Sequence, residues 1–271
     1  MSTLVRSETA RADAPLVAAA GGRLSTTDGR PRWWYELLLV AVLYLIYDGS
    51  RLLPDASRHT ADRNAGHILS LERWLHLTPE PWLNSGLHGL TVLPVVAALF
   101  YESLHYLVTP VVLIWMYRKR PSRYRRARTW LALMTMIGLL GFLFFPVTPP
   151  RLFDPSRFYD IVAEQHQWGW WSAHGEAPRG LGSMVNEFAA MPSLHVGWAL
   201  WCGWLVMRYA RHSVLRVLGA LYPALTILVV MATGNHYLLD AVAGVLVATL
   251  SHAAVTLAAR RRARRRPLTS T

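Results

Sequence analysis

The run YLLDAVAGVLVATLSHAAVTLA, residues Tyr237 to Ala258, is apolar along its length and holds a single carboxylate, Asp240. A bilayer core needs about 20 predominantly apolar residues to be crossed by a helix. This run meets that length, and five more windows come close: Trp33–Leu53, Val92–Tyr117, Thr129–Pro146, Leu194–Arg208 and Leu215–Met231. The second carries Pro110, which predicts a kink. Composition agrees. Of 271 residues, 53% are hydrophobic and 16% charged, whereas a soluble domain carries about 25% charge. The expected fold is all-α, a polytopic membrane protein of six transmembrane helices, since helices satisfy their own backbone groups in lipid.

Charge patterning sets the orientation. Basic residues gather in the N-terminal segment (Arg6, Arg11, Arg23, Arg30, Arg32), between spans two and three (Arg118, Lys119, Arg120, Arg123, Arg125, Arg126, Arg128), between four and five (Arg208, Arg211, Arg216) and at the end (Arg260, Arg261, Arg262, Arg264, Arg265, Arg266). With six spans all four segments share a side, and they hold 21 of the 28 Lys and Arg residues. By the positive-inside rule both termini are cytoplasmic in a multi-pass cell-membrane protein. The net charge of +12 therefore reads as topology, and no nucleic-acid partner is expected. Residues 1–32 are expected to be a disordered cytoplasmic tail, 33–258 the membrane domain and 259–271 a basic cytoplasmic tail. Pro15 to Ala20 is too short for a signal-peptide core. Cys202 is the sole cysteine, which excludes an internal disulfide and a Cys-rich metal site.

The outward loops would be about 54–91, 147–193 and 232–236. In the first, Ile68, Leu71, Trp74, Leu75 and Leu77 recur at helical spacing between Ala61 and Trp82, predicting an amphipathic helix at the outer interface. The second holds Trp168, Trp170, Trp171 and His174, a segment that either covers a site or rests among headgroups.

Three polar features fall on that outer side. Gly234-Asn235-His236-Tyr237-Leu238-Leu239-Asp240 enters the last span. His236 and Asp240 are spaced i, i+4, so a carboxylate can fix one ring nitrogen and leave the other as a nucleophilic lone pair. Asp240 lies within apolar sequence, where an ionisable group is costly; a structural His–Asp pair locking two helices is the plain alternative. Ala189-Ala190-Met191-Pro192-Ser193-Leu194-His195 opens span four. Pro192 suits a first helical turn, Ser193 offers a hydroxyl, and the helix N-terminus attracts an anion. His195 there can protonate a leaving oxygen, unless Ser193 is only a cap and His195 only interfacial. Pro149-Pro150-Arg151 follows span three; Arg151 either grips two phosphate oxygens or snorkels to headgroups. Together these are the parts for phosphoryl transfer through a histidine. No Gly-rich phosphate loop and no carboxylate cluster suited to magnesium stands in the sequence, so no metal or other cofactor is expected. Within span two, Tyr101, Glu102 and His105 form a polar patch that either lines a pocket or packs against other helices.

AAMPSLH and NHYLLD, in this order and two helices apart, resemble the type-2 phosphatidic acid phosphatase superfamily, and most of all its inositol phosphorylceramide synthase-like bacterial membrane branch. The resemblance covers roughly residues 33 to 258. It implies His236 as the nucleophile forming a phosphohistidine, Asp240 as its orienting group and His195 as the acid and base. It implies Arg151, with Ser193, in the phosphate pocket. The chain departs from the phosphatase pattern at Phe144, where a Lys is usual, at Leu194, where a Gly is usual, and at Val229 and Val230, where a Ser-Arg pair is usual. Asn186, Asn235 and Thr233 are the polar candidates to compensate. The implied activity is that of a lipid phosphatase or phosphotransferase with an outward-facing site. Its substrate would be a phospholipid or isoprenoid phosphate and its acceptor water or a polyol such as inositol. The alternative is a non-catalytic transporter or lipid-binding membrane protein, with Asp240 and the Tyr101–Glu102–His105 patch on a translocation path. Six helices with no evident inverted repeat argue against that path.

Overall fold

The computed structural model describes residues 31–51, 58–172, 175–178 and 188–265. Asn186, His174, residues 1–30 of the expected N-terminal tail and residues 266–271 of the expected C-terminal tail lie outside these residues. The described chain is mostly helical: α1 Trp33–Arg51, α2 Arg58–Trp74, α3 Glu80–His88, α4 Leu93–Lys119, α5 Pro121–Phe144, α6 Pro150–Phe153, α7 Ile161–Glu164, α8 Leu194–Tyr209, α9 Ser213–Ala232 and α10 Leu238–Arg264. A short antiparallel pair, β1 Trp171–Ser172 and β2 Gly175–Pro178, lies between α7 and α8. Of the described residues, 31–42 fall in one compact unit and the others in a second; in the first, Trp33, Leu37, Leu38 and Val40 are exposed.

Among the described residues four helices, α4, α5, α9 and α10, are long and apolar enough to cross a membrane. Their outward faces expose Leu107, Val111, Ile114, Leu140, Leu221, Leu225, Leu246 and Leu250. So many large apolar side chains facing outward on long helices suit lipid rather than water. These four helices make this a membrane protein. The other two expected spans, α1 and α8, have 19 and 16 residues.

Helix α8 sits centrally, against α4, α5, α9 and α10. Burial on several sides explains its composition: Val196, Gly197, Ala199, Trp201, Cys202 and Gly203 are all buried. Two indoles pin the bundle through backbone carbonyls, Trp201 Nε1 donating to Ala127 at 2.9 Å and Trp130 Nε1 to Ala248 at 2.7 Å.

Several expected boundaries move. Pro121 starts α5, so a single residue, Arg120, separates it from α4, and Arg123 to Arg128 are helical rather than loop. Arginine is a good helix former, and proline is favoured in a first turn. The last helix continues beyond Ala258 to Arg264, and α4 runs unbroken through Pro110. The expected single helix over Ala61–Trp82 is two, α2 and α3, because His76 takes a left-handed turn (φ 57°) and Pro79 precedes α3. Its apolar stripe also divides. Ile68 is buried, whereas Leu71, Trp74, Leu75 and Leu77 are exposed. The inward face of α2 is instead Ala61, Asn64, Ala65, Ile68, Leu69 and Glu72.

Candidate active site

The site is built where α9 ends and α10 begins. Thr233 is the C-cap of α9 and Gly234 follows at φ +77°. Gly234 N donates to Met231 O at 3.0 Å and Asn235 N to Val230 O at 3.2 Å. This is the paired bonding of a Schellman ending, which needs a residue able to turn left-handed. His236 N also bonds to Val230 O, 3.1 Å, so the turn fixes the backbone of His236 before α10 starts.

His236 therefore precedes the helix, and the expectation that it shares a helical face with Asp240 is corrected. Asp240 is the third residue of α10 and reaches back. Its Oδ2 accepts from Tyr237 N at 2.9 Å, one half of a capping box, and lies 3.5 Å from His236 Nδ1. Both side chains are buried. A carboxylate beside Nδ1 favours the proton there and leaves Nε2 with the free lone pair.

Helix α8 brings the second imidazole. Ser193 is its N-cap and accepts from Val196 N at 3.5 Å, so Pro192 lies outside the first turn that it was expected to occupy. Ser193 N donates to the Asp240 carbonyl at 3.0 Å. A Cβ on Gly244 would collide with the Ser193 carbonyl, so a glycine in α10 lets the two active ends approach. The His195 and His236 ring centroids are 5.9 Å apart. Tyr101 stacks on His195 at 4.4 Å, and His105 meets it edge-on at 4.5 Å. His105 Nδ1 lies 3.0 Å from the Tyr101 carbonyl; a carbonyl only accepts, so Nδ1 carries the proton. The polar patch of α4 thus packs on His195, whose own Nε2 is buried without a hydrogen-bond partner among the described residues.

Arg151 is buried on α6. Its backbone N donates to the Gly234 carbonyl at 3.0 Å, and its Nε lies 3.2 Å from Asp160 Oδ2. The Asn235 amide donates to Thr233 Oγ1 at 3.0 Å. The structure therefore gathers Tyr101, His105, His195 and His236 ring to ring with the Asp240 carboxylate beside His236, and sets Arg151, Asn235 and Ser193 along the adjoining backbone. Trp171 is buried against Tyr101, Val196 and Val230, with Nε1 donating to Val162 O at 2.8 Å. Trp170 donates to Ser103 Oγ at 3.0 Å. The described part of the Trp-rich segment thus folds onto the bundle, while Trp168 is exposed.

Four residues of the site went unread in the sequence: Glu72, Glu80, Asn84 and Asp160. Three consecutive amides at the start of α10 meet three carboxyls. Tyr237 N donates to Asp240, Leu238 N to Glu80 Oε1, and Leu239 N to Glu72 Oε1, the last at 2.8 Å. These are donors that a helix start cannot pair internally. Glu72 and Glu80 are fully buried. Burial pushes Glu72 up to about 8, against the Leu239 amide, which favours the anion; the neighbouring Glu80 and Asp240 carboxyls add to the rise. Burial raises Glu80 as well. Positions 72, 80 and 240 thus converge in space, which their spacing in the sequence does not show. Among the described residues, however, no group of three His, Cys, Asp or Glu side chains is arranged to hold a metal ion. Asn84 closes the far side, donating to Tyr159 O and Ala232 O and accepting from Tyr159 N. A signal for Glu72 was present, because it continues at helical spacing the face of Ala61, Ala65, Ile68 and Leu69.

Two imidazoles, a carboxylate and a guanidinium thus gather at one end of a bundle of apolar, membrane-length helices. The family model described as PAP2 superfamily matches residues 66–254, and the chain belongs to that superfamily. No curated protein and no solved structure gives a significant match.

Proposed function

We propose that this protein is an integral membrane lipid phosphatase or phosphotransferase of the inositol phosphorylceramide synthase-like branch. Superfamily membership supports phosphatase-type chemistry. The observation that carries the finer reading is the pairing of His236 Nδ1 with Asp240 beside His195, 5.9 Å away.

Nε2 of His236 attacks the phosphorus of a lipid phosphate ester or diphosphate. The P–N bond forms as the P–O bond to the leaving group breaks. His195, protonated at that moment, gives its proton to the leaving oxygen. Asp240 stabilises the positive charge that arises on His236. Arg151, steadied by Asp160, faces the negative charge on the phosphoryl oxygens. In the second half His195 takes a proton from water or a polyol such as inositol, whose oxygen attacks phosphorus and releases His236. Chemistry through a histidine assigns no step to a metal.

Six spans, including α1 and α8, put both termini on the cytoplasmic side and the site toward the exterior. The basic ends of α4, α5, α8, α9 and α10 all lie opposite His195 and His236, which supports this orientation. The test is a panel of lipid phosphates and diphosphates with chelator present, with and without polyols, comparing wild type with His236→Ala. The expected result is phosphate release or headgroup transfer by wild type alone. Turnover that survives in the variant, or that chelator abolishes, contradicts the proposal.

A further inference from the structure

At the opposite end of α8 from His195 lies a cavity of about 440 Å³ between α4, the C-terminus of α8 and the start of α9. That volume falls within the range of small-molecule sites. The 16 residues of α8 place it roughly 24 Å along the helix from the imidazoles, so it is distinct from the catalytic end. Its lining holds Lys119, Arg120, Arg211 and His212 together with Val111 and Leu215, both exposed.

These basic side chains have no acid to meet. Residues 103–153, 188–239 and 241–271 contain no Asp or Glu, and among the described residues none of the four pairs with a carboxylate. Arg120 is held in place: its Nη2 donates to Tyr209 O at 2.9 Å, and its guanidinium lies 5.9 Å over the Tyr209 ring. Its Nε is buried and has no hydrogen-bond partner among the described residues. A buried charge-bearing donor left unspent is costly. Here four basic side chains share one cavity with apolar ones.

We infer that this cavity binds the headgroup phosphate of an anionic phospholipid from the leaflet at the basic end of the bundle. The phosphate meets Arg120 Nε with Lys119 and Arg211, and the acyl chains run along Val111 and Leu215. An amphipathic anion satisfies both kinds of lining side chain, and basic pockets between helices are suited to such headgroups. Free phosphate shares the charge chemistry but leaves the apolar side chains unused.

The test is thermal unfolding of the purified full chain in detergent with phosphatidylglycerol, phosphatidylcholine or inorganic phosphate added. Wild type is compared with the double variant Lys119→Gln/Arg211→Gln, which keeps catalytic-end residues intact. Phosphatidylglycerol is expected to raise the wild-type Tm by at least about 3 °C over phosphatidylcholine, and the double variant to lose most of that gain. Equal effects of the two lipids, a gain kept by the variant, or the same gain from inorganic phosphate overturns the inference. A second readout uses the unmodified chain and Trp115, which also lines the cavity. Brominated phosphatidylglycerol is expected to quench tryptophan emission more than brominated phosphatidylcholine, with the excess lost in Trp115→Phe. An excess that persists in that variant contradicts the site.

Discussion

Asp240 has two tasks on one oxygen: it caps α10 through Tyr237 N and faces His236 Nδ1. The two are separable. Asp240→Asn keeps an acceptor for the amide but removes the charge, so folding survives while kcat falls by roughly 10²–10⁴. Asp240→Ala loses the cap too and costs a further ~1 kcal/mol of stability. Turnover and thermal unfolding measured on both variants check the split; equal kcat in wild type and Asp240→Asn contradicts it. The pairing of positions 236 and 240 was legible in the sequence, since an Asp in an apolar run four residues after a His has few uses. Its geometry was not, because i, i+4 spacing implies a shared helical face, whereas the Gly234 turn ends one helix before His236 and Tyr237 begins the next. Arg151 was legible as a charge near the site, but its hold on Asp160 depends on a loop that only the fold brings back.

At the scale of elements, α10 is held at its start by residues some 160 positions earlier. Glu72 and Glu80 spend one oxygen each on Leu239 and Leu238 amides and bury the other. Because burial raises Glu72 to about 8, the folded protein keeps a proton that the unfolded chain releases near pH 4.5. Its contribution to stability is complete below pH 4.5 and is lost as pH rises toward about 8. Thermal unfolding of wild type should show Tm falling across that window, and Glu72→Gln, which keeps an oxygen for Leu239 N, should flatten the fall. A wild-type Tm that climbs steadily from pH 5 to 8, or an unchanged slope in the variant, contradicts this. Hydropathy told half of this region. Leu71, Trp74 and Leu75 read as the apolar side of an interfacial helix and they do face outward, but the inner face, Ala61, Asn64, Ala65, Ile68, Leu69 and Glu72, mixes apolar and polar residues that no hydropathy pattern singles out.

For the whole molecule, the apolar windows were plain in the sequence and four of them return as long helices, with ends shifted by a few residues. Where charge and structure overlap, the shift is larger: seven basic residues around Arg118–Arg128 read as a loop, yet most continue α5, because cations extend a helix past the membrane without breaking it. The proposed orientation is measurable in intact cells. In a Cys202→Ser background, Ser156→Cys, near the catalytic end, should react with a membrane-impermeant maleimide from outside, and Ser122→Cys, at the basic end, only after permeabilisation. The reverse pattern inverts the topology and moves the site to the cytoplasm.

The central claim is that His236 carries the phosphoryl group between two oxygens. The most direct measurement is rapid acid-free quenching of the purified enzyme with a ³²P-labelled lipid phosphate, followed by peptide mapping. The account predicts an acid-labile, base-stable label on the peptide containing His236, absent from His236→Ala and lengthened in lifetime by His195→Ala. Label on another residue, or full turnover of the His236→Ala variant, contradicts it.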